Sequence, residues 1–327
     1  MRGAAITGWG TALPPQVVTN ADLTAVLETT DEWIQERTGI RLRRVATGPF
    51  APQDPGAPAS PPGGMGTTAT LAVEAGRRAI ALAGLEPRDV DLLILCTTTP
   101  DQAVPATSAA VSAALGLHCG AFDLNAACSG FVYGMVTASS FIGAGVDRVL
   151  LIGSETLSRI TDWTDRTTAI LFADGAGAAV IEAVPGDGSL LGWDLGADGS
   201  LQSILYADHG SGMKMQGKEV FRRAVRAVVD SAGAAMDRAK VVADDIALFV
   251  PHQANARIID AACARLSIPA ERAAIVVGHT GNTSSASIPI ALAEAADAGR
   301  LADGDLVLFS GFGAGMTVAS AVWRWGR

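Results

Sequence analysis

The stretch Phe122-Asp123-Leu124-Asn125-Ala126-Ala127-Cys128-Ser129-Gly130-Phe131 constrains this chain most. A strand-like apolar run turns through small residues and sets a cysteine at the start of a helix expected over residues 128–143. That helix carries no charge and is built from small and apolar residues, so it belongs in an interior. A buried helix N-terminus presents unpaired N–H groups and about half a positive charge. A thiol placed there is expected to have a lowered pKa and raised reactivity. The plainer alternative is that Cys128 is one more small buried residue.

Around this stretch the chain alternates strands and helices. Residues 4–12 read as a strand. Asn20 reads as the N-cap of a helix through about residue 28, and Thr30-Asp31 opens another that carries Trp33 and ends at Thr38-Gly39-Ile40. A lone tryptophan is ordinarily a core aromatic, but the neighbouring Arg37 leaves a ligand-stacking role open. Residues 48–64 are crowded with proline and glycine and read as an exposed, mobile loop, with a partner-binding proline motif as the other reading. Helices follow over 67–83 and 107–115, buried strands over 91–97 and 148–153, and a Gly-rich strand over 174–181.

The second half repeats the plan. A helix over 219–239, a strand over 246–250, helices over 254–266 and 285–298 and a strand over 305–309 lead to Phe312-Gly313-Ala314-Gly315-Met316-Thr317-Val318-Ala319-Ser320-Ala321. That segment aligns without a gap on residues 174–183. Such apolar strands need cover on both faces. An α/β fold of two duplicated halves, 1–185 and 186–327, in a five-layer αβαβα arrangement is therefore expected.

Several classes are excluded. No apolar run reaches the roughly 20 residues of a membrane span, and the N-terminus lacks a signal-like apolar region. The four cysteines, Cys96, Cys119, Cys128 and Cys263, show no CxxC pairing. Disulfides and a metal site are not expected, and a reducing cytoplasm fits. The net charge of −9 argues against a nucleic-acid partner. No G-x-G-x-x-G joins a strand to a helix, so a dinucleotide cofactor is not expected either.

Two later segments carry chemistry. Val250-Pro251-His252-Gln253-Ala254-Asn255 puts a histidine just past a buried strand, where open α/β sheets collect functional groups. Gly278-His279-Thr280-Gly281-Asn282-Thr283-Ser284-Ser285-Ala286-Ser287 puts an asparagine in a small-residue turn that opens a helix. Taken singly, His252 could be a neighbour of a helix cap and Asn282 a turn residue. Together with Cys128 they supply a nucleophile, a general base or donor, and an amide donor, each at a strand-to-helix junction.

With these residues in place, the sequence resembles β-ketoacyl-acyl carrier protein synthase III, a condensing-enzyme family with the thiolase-like fold. The resemblance rests on Asn20-Ala21-Asp22-Leu23, Asp31-Glu32-Trp33-Ile34, Arg37-Thr38-Gly39-Ile40, Asp165-Arg166-Thr167, Val250–Asn255 and Gly281-Asn282-Thr283-Ser284. It implies a homodimer, Cys128 as the acylated nucleophile, and His252 with Asn282 as the decarboxylation pair. It implies Trp33, Arg37 and Arg166 at bound CoA, and Val104 and Phe312 at the acyl pocket. The backbone N–H groups of Cys128 and Ala314 would hold the oxyanion. The reaction would condense acetyl-CoA or a somewhat larger acyl-CoA with malonyl-acyl carrier protein, giving a 3-oxoacyl product, free CoA and carbon dioxide, with no cofactor or metal. Alternatives are a polyketide starter synthase or acyltransferase of secondary metabolism, and a non-catalytic acyl-binding partner of the same fold.

Some positions depart from the commonest pattern of that family. The 48–64 insert is long, Ala173 and Ala314 stand where glycine is frequent, and residues 200–217 are few. Val104 stands where an aromatic is common, which implies a roomier pocket. Docking an acidic carrier protein on an acidic enzyme calls for a local basic patch. Lys214, Lys218, Arg222, Arg223 and Arg226 cluster in one stretch, and Arg257 follows His252 closely; Arg222 and Arg257 are the chosen candidates, against the reading of a solvated helix face.

Overall fold

The computed structural model describes residues 2–49 and 66–326. Most of the 48–64 insert, for which an exposed loop is expected, lies outside the described residues. The first half runs through strand β1 (Arg2–Ala12), strand β2 (Val17–Thr19), helix α1 (Asn20–Thr24), helix α2 (Asp31–Thr38) and strand β3 (Leu42–Arg44). Helix α3 (Thr68–Leu82), strand β4 (Leu92–Cys96), helix α4 (Thr107–Leu115), strand β5 (Gly120–Leu124), helix α5 (Gly130–Gly143), strand β6 (Arg148–Thr156) and strand β7 (Asp174–Pro185) follow. The second half has strands β8 (Leu190–Ala197), β9 (Leu205–Tyr206) and β10 (Lys214–Met215), then helix α6 (Gly217–Ala239), strand β11 (Ile246–Pro251) and helix α7 (Ala256–Leu266). It closes with helices α8 (Val277–Thr280) and α9 (Ser287–Asp297) and strands β12 (Leu306–Gly313) and β13 (Thr317–Arg324).

The duplication is visible in the sheets. The first runs β1-β7-β6-β4-β5 and the second β8-β13-β12-β11. In each, the outermost strand is antiparallel to the next, that one is antiparallel to the third, and the third is parallel to the fourth. A parallel bridge from Phe249 to Ala273 stands where β5 stands in the first sheet. The chain crosses between the sheets over residues 186–189. Helix α5 and helix α9 lie between the sheets, where Phe131, Met135, Ile288 and Leu292 share one core with Ile94, Leu151, Leu248 and Phe309. Each such fully buried side chain contributes about 1.5–3 kcal/mol. Helix α3 covers the outer face of the first sheet, and α6 with α7 that of the second. The five layers αβαβα are thus present. Their order explains the uncharged α5: both of its faces meet apolar sheets.

Two local expectations need correction. Asn20 is not a cap. Thr19 caps α1, with Asp22 reaching back to its N–H, and the helix stops at Thr24. The Asn20 side chain is needed elsewhere: it is buried, donates to Asp31 and to the Ile40 carbonyl, and accepts from Arg43. Arg43, fully buried, also donates to the carbonyls of Val18 and Ile170. Second, α5 begins at Gly130, and Cys128 sits before it in a single 3-10 turn, Ala127–Ser129. Helix α2 ends as expected, at Gly39 with φ 75°.

Candidate active site

The two central helices are entered through matching turns. In the first, Asn125 Oδ1 accepts from Ala127 N–H at 3.1 Å, Ala127 has φ 49°, and Cys128 follows. In the second, Asn282 Oδ1 accepts from Ser284 N–H at 2.9 Å, Ser284 has φ 50°, and Ser285 follows. Each turn rests on a glycine of the opposite half. A Cβ on Gly311 of β12 would lie 3.1 Å from Ser129 Cα, and one on Gly153 of β6 would lie 2.4 Å from the Ser285 carbonyl oxygen. Neither place admits a side chain without movement of the turn.

Cys128, His252 and Asn282 line one cavity of about 900 Å³, together with Phe312, Gly313, Ala314, Thr98 and Ser284. His252 is carried past the end of β11 and tied to the neighbouring strand by its N–H to the Ser310 carbonyl, 2.8 Å. Its Nδ1 lies 2.7 Å from Ser287 Oγ, which also accepts from Gln253 N–H at 3.2 Å. Ser287 has one proton to give, and giving it to Nδ1 satisfies both groups. That places the imidazole proton on Nε2. Burial pushes the His252 pKa down to about 3, so the ring is neutral at ordinary pH. The edge of Phe312 packs against the ring, with centroids 5.4 Å apart. Asn282 has Oδ1 occupied by Ser284, which leaves Nδ2 as its donor. Its backbone is pinned to the first half through Leu171 and Ala173.

The other polar residues of the His252 segment have structural tasks. Gln253 donates to the carbonyls of Pro251 and Ala274 and accepts from Val276 and Val277 N–H. Asn255 caps α7 and donates to the Arg37 carbonyl at 2.8 Å.

The ionisation of Cys128 differs from expectation. Burial, aided by the charge of Glu155, pushes the thiol up to about 12, against hydrogen bonds from Ser284 and from its own N–H. The residue keeps one face open to the cavity, yet the protein around it disfavours charge more than a short turn ahead of α5 favours it.

At the cavity mouth, the guanidinium of Arg37 lies 4.7 Å and that of Arg166 5.3 Å from the centre of the Trp33 ring. Trp33 and Arg37 line the cavity; Arg166 is exposed and donates to the Glu28 carbonyl at 2.8 Å. Arg257 and Lys218 stand on the same rim, Arg257 over Phe221 at 5.5 Å. Arg222 is off the rim and paired with Glu219 at 2.6 Å. Val104 departs furthest from expectation. It is 85% exposed, on the loop after β4, and does not line this chain's own cavity. Phe312, by contrast, is a buried cavity wall.

Sequence reasoning missed Ser287, Ser284, Thr98 and Glu155. The two serines stand inside a segment singled out for its asparagine, but nothing in the spacing says which side chain a hydroxyl will meet.

Residues 122–199 match the family model described as 3-oxoacyl-[acyl-carrier-protein (ACP)] synthase III, and residues 236–325 match its C-terminal counterpart. The β-ketoacyl-[acyl-carrier-protein] synthase III 1 of Bacillus cereus is 44% identical over 324 residues, 98% of this chain and 99% of the relative. The corresponding Rhizobium johnstonii protein is 46% identical over 334 residues, with 98% of each chain covered. The crystal structure of 3-oxoacyl-[acyl-carrier-protein] synthase III from Aquifex aeolicus superposes with a TM-score of 0.91 at 40% identity, covering 99% of this chain and 100% of that one. The chain belongs to the 3-oxoacyl-[acyl-carrier-protein] synthase III family.

Proposed function

We propose that this member of the synthase III family condenses an acyl-CoA primer with malonyl-acyl carrier protein. The products are 3-oxoacyl-acyl carrier protein, CoA and carbon dioxide, and the step opens type II fatty-acid synthesis. The observation that carries this reading is the set of three groups around one cavity: a thiol, a neutral imidazole with Nε2–H, and an amide with Nδ2–H. Relatives named for this synthase at 44–46% identity support it over a polyketide or non-catalytic reading.

The Cys128 sulfur attacks the acyl-CoA carbonyl. The oxyanion that forms takes the N–H groups of Cys128 and Ala314; the thioester bond to CoA then breaks, and the thiol's proton ends on the departing CoA sulfur. With a thiol pKa near 12, the thiolate forms as the substrate arrives and is a strong nucleophile once formed. The malonyl thioester enters next. Loss of its carboxylate as carbon dioxide moves an electron pair into an enolate on the thioester oxygen. His252 Nε2–H and Asn282 Nδ2–H donate to that oxygen. A neutral donor pair suits a charge that exists only transiently, since it does not hold the malonyl ground state. The enolate carbon attacks acyl-Cys128, the C–S bond breaks, and the thiolate takes up a proton from solvent.

CoA would enter at the rim. An adenine sliding onto Trp33 would exchange one guanidinium contact for a stack between the indole and Arg166, with Arg37 alongside. Arg257 is the better candidate for carrier-protein docking, because it stands on the cavity rim, whereas Arg222 lies off it and is held with Arg223 on Glu219. The working unit is read as a homodimer: β5 is a sheet edge with no described strand outside it, Phe141 packs on Phe122 of β5, and Phe141 and the loop residue Val104 are exposed. No described helix is long and apolar enough to cross a membrane.

Intact-mass measurement after incubation with acetyl-CoA and longer or branched acyl-CoAs tests the reading. Addition of one acyl group, lost in Cys128→Ala, is expected. An unmodified mass across the whole panel would overturn it.

A further inference from the structure

Glu155 is a fully buried carboxylate to which the condensation mechanism gives no task. It stands near the end of β6, two residues after Gly153, facing the turn that opens α9. Six donors converge on it: Thr97 Oγ1, Thr98 N–H and Oγ1, Thr99 N–H and Oγ1, and Ser285 Oγ. The closest are Thr99 Oγ1 at 2.6 Å and Ser285 Oγ at 2.8 Å. A carboxylate offers about four acceptor sites, so this one is saturated. The groups it gathers reach the reaction cavity. Thr98 lines it, as do Ser284, bonded in sequence to Ser285, and Cys128 itself.

We propose that Glu155 is a positioning residue of the active site: it clamps the loop after β4 to the turn before α9, so that Thr98, Asn282 and Ser284 meet Cys128 in fixed geometry, and it holds a negative charge behind the thiol. That charge lowers the fraction of idle thiolate, which oxidants and stray electrophiles would consume, while each thiolate that does form is the more nucleophilic. The other charged groups near this pocket are Asp123 on β5, Asp174 on β7 and the Asp101–Arg159 pair, whose guanidinium also holds the Thr99 carbonyl and acts on Asp174. With one guanidinium among these carboxylates, the net field is negative.

The inference rests on Cys128 as the nucleophile, but its first test needs no acyl-CoA. Glu155→Gln removes the charge and keeps one oxygen for the threonines. Its NH2 can meet Ser285, whose hydroxyl can turn to accept, but that NH2 cannot accept from the Thr98 N–H that Oε1 also holds, so part of the clamp is lost. The pH profile of Cys128 alkylation by iodoacetamide is expected to move to lower pH by about one unit. At neutral pH that is about a three-fold faster reaction, since a ten-fold gain in thiolate is partly offset by lower intrinsic nucleophilicity. Malonyl-thioester decarboxylation is expected to fall about ten-fold through lost geometry, with KM for acyl-CoA unchanged. Ser285→Ala keeps the charge and cuts one tie; it should leave the alkylation profile in place and still slow decarboxylation. An unmoved alkylation profile in Glu155→Gln overturns the charge role, and decarboxylation unchanged in both variants overturns the clamp. Should Glu155→Gln fail to fold, Ser285→Ala decides alone, and unchanged decarboxylation in it overturns the proposal. A protein that takes no acyl group yet shows the shifted profile would fail the functional reading and leave this one standing.

Discussion

The turn before α5 and the turn before α9 are the same piece of backbone used twice, with opposite results. Both run Asn, a non-glycine residue with φ near 50°, a 3-10 turn and a central helix. Both sit on a glycine from the facing strand. Cys128 opens on the cavity, whereas its counterpart Ser285 is 1% exposed, its hydroxyl 2.8 Å from both Glu155 Oε1 and the Cys96 carbonyl, with one proton shared between them. The difference lies two residues along the facing strand. Beyond Gly153 stands Glu155, which closes over Ser285. Beyond Gly311 stands Gly313, whose absent Cβ would lie 2.6 Å from Cys128 N. One half closes over its turn with a carboxylate, and the other lays bare backbone against the Cys128 turn, where Gly313 and Cys128 both line the cavity.

The largest effect should come from moving the thiol across that pseudo-symmetry. Cys128→Ser combined with Ser285→Cys keeps a thiol in the same local turn but seals it. Acyl transfer should fall by at least about 10³-fold, as for Cys128→Ala; acylated protein from the swapped variant would break the comparison. Next come the donors that only the second half supplies. His252→Ala and Asn282→Ala should each slow malonyl decarboxylation by about 10²–10³-fold while sparing Cys128 acylation. Because burial holds the His252 pKa near 3, the ring is neutral throughout, and decarboxylation should be flat from about pH 5 to 8. A limb near the ordinary histidine value of about 6.5 would contradict the neutral-donor role.

The supporting glycines give a smaller, graded effect. Gly153→Ala meets a backbone oxygen at 2.4 Å and Gly311→Ala meets Ser129 Cα at 3.1 Å. Gly153→Ala should cost about 1–3 kcal/mol of stability in thermal denaturation. Gly311→Ala should cost less stability but more acylation rate, because the turn it lifts carries the nucleophile. Equal effects on both readouts would erase the distinction. The smallest effect belongs to the rim. Arg257→Glu should raise KM for malonyl-acyl carrier protein severalfold at low salt, and less at high salt. Arg222→Glu, off the cavity rim, should do less, and the reverse ranking would place docking elsewhere.

Much of this was legible because the fold writes its core in unbroken apolar runs. Strands such as Leu92–Cys96 and the uncharged α5 can sit only between covering layers, and strand-to-helix junctions single out Cys128, His252 and Asn282. What stayed hidden depends on contacts that only folding makes. Asn20 has the composition of a cap, but a buried arginine claims its side chain. Glu155 reads as an ordinary polar residue near a strand end, since its donors come from positions 97–99 and 285. The ionisation of Cys128 follows its surroundings more than its place before a helix. Val104 was assigned by analogy of position, and the exposure of its loop is a tertiary fact.

The order of strands in the second sheet also bears on how the protein is made. Strand β13 lies between β8 and β12, so the sheet has a gap at its middle until residues 317–324 have left the ribosome. The floor under Cys128, Gly311 and Gly313, belongs to the neighbouring late strand. The nucleophile is therefore translated nearly two hundred residues before the surface that holds it in place. A chain stalled or cut anywhere in that interval carries the cysteine but not its setting, and competence arrives only with the final strands.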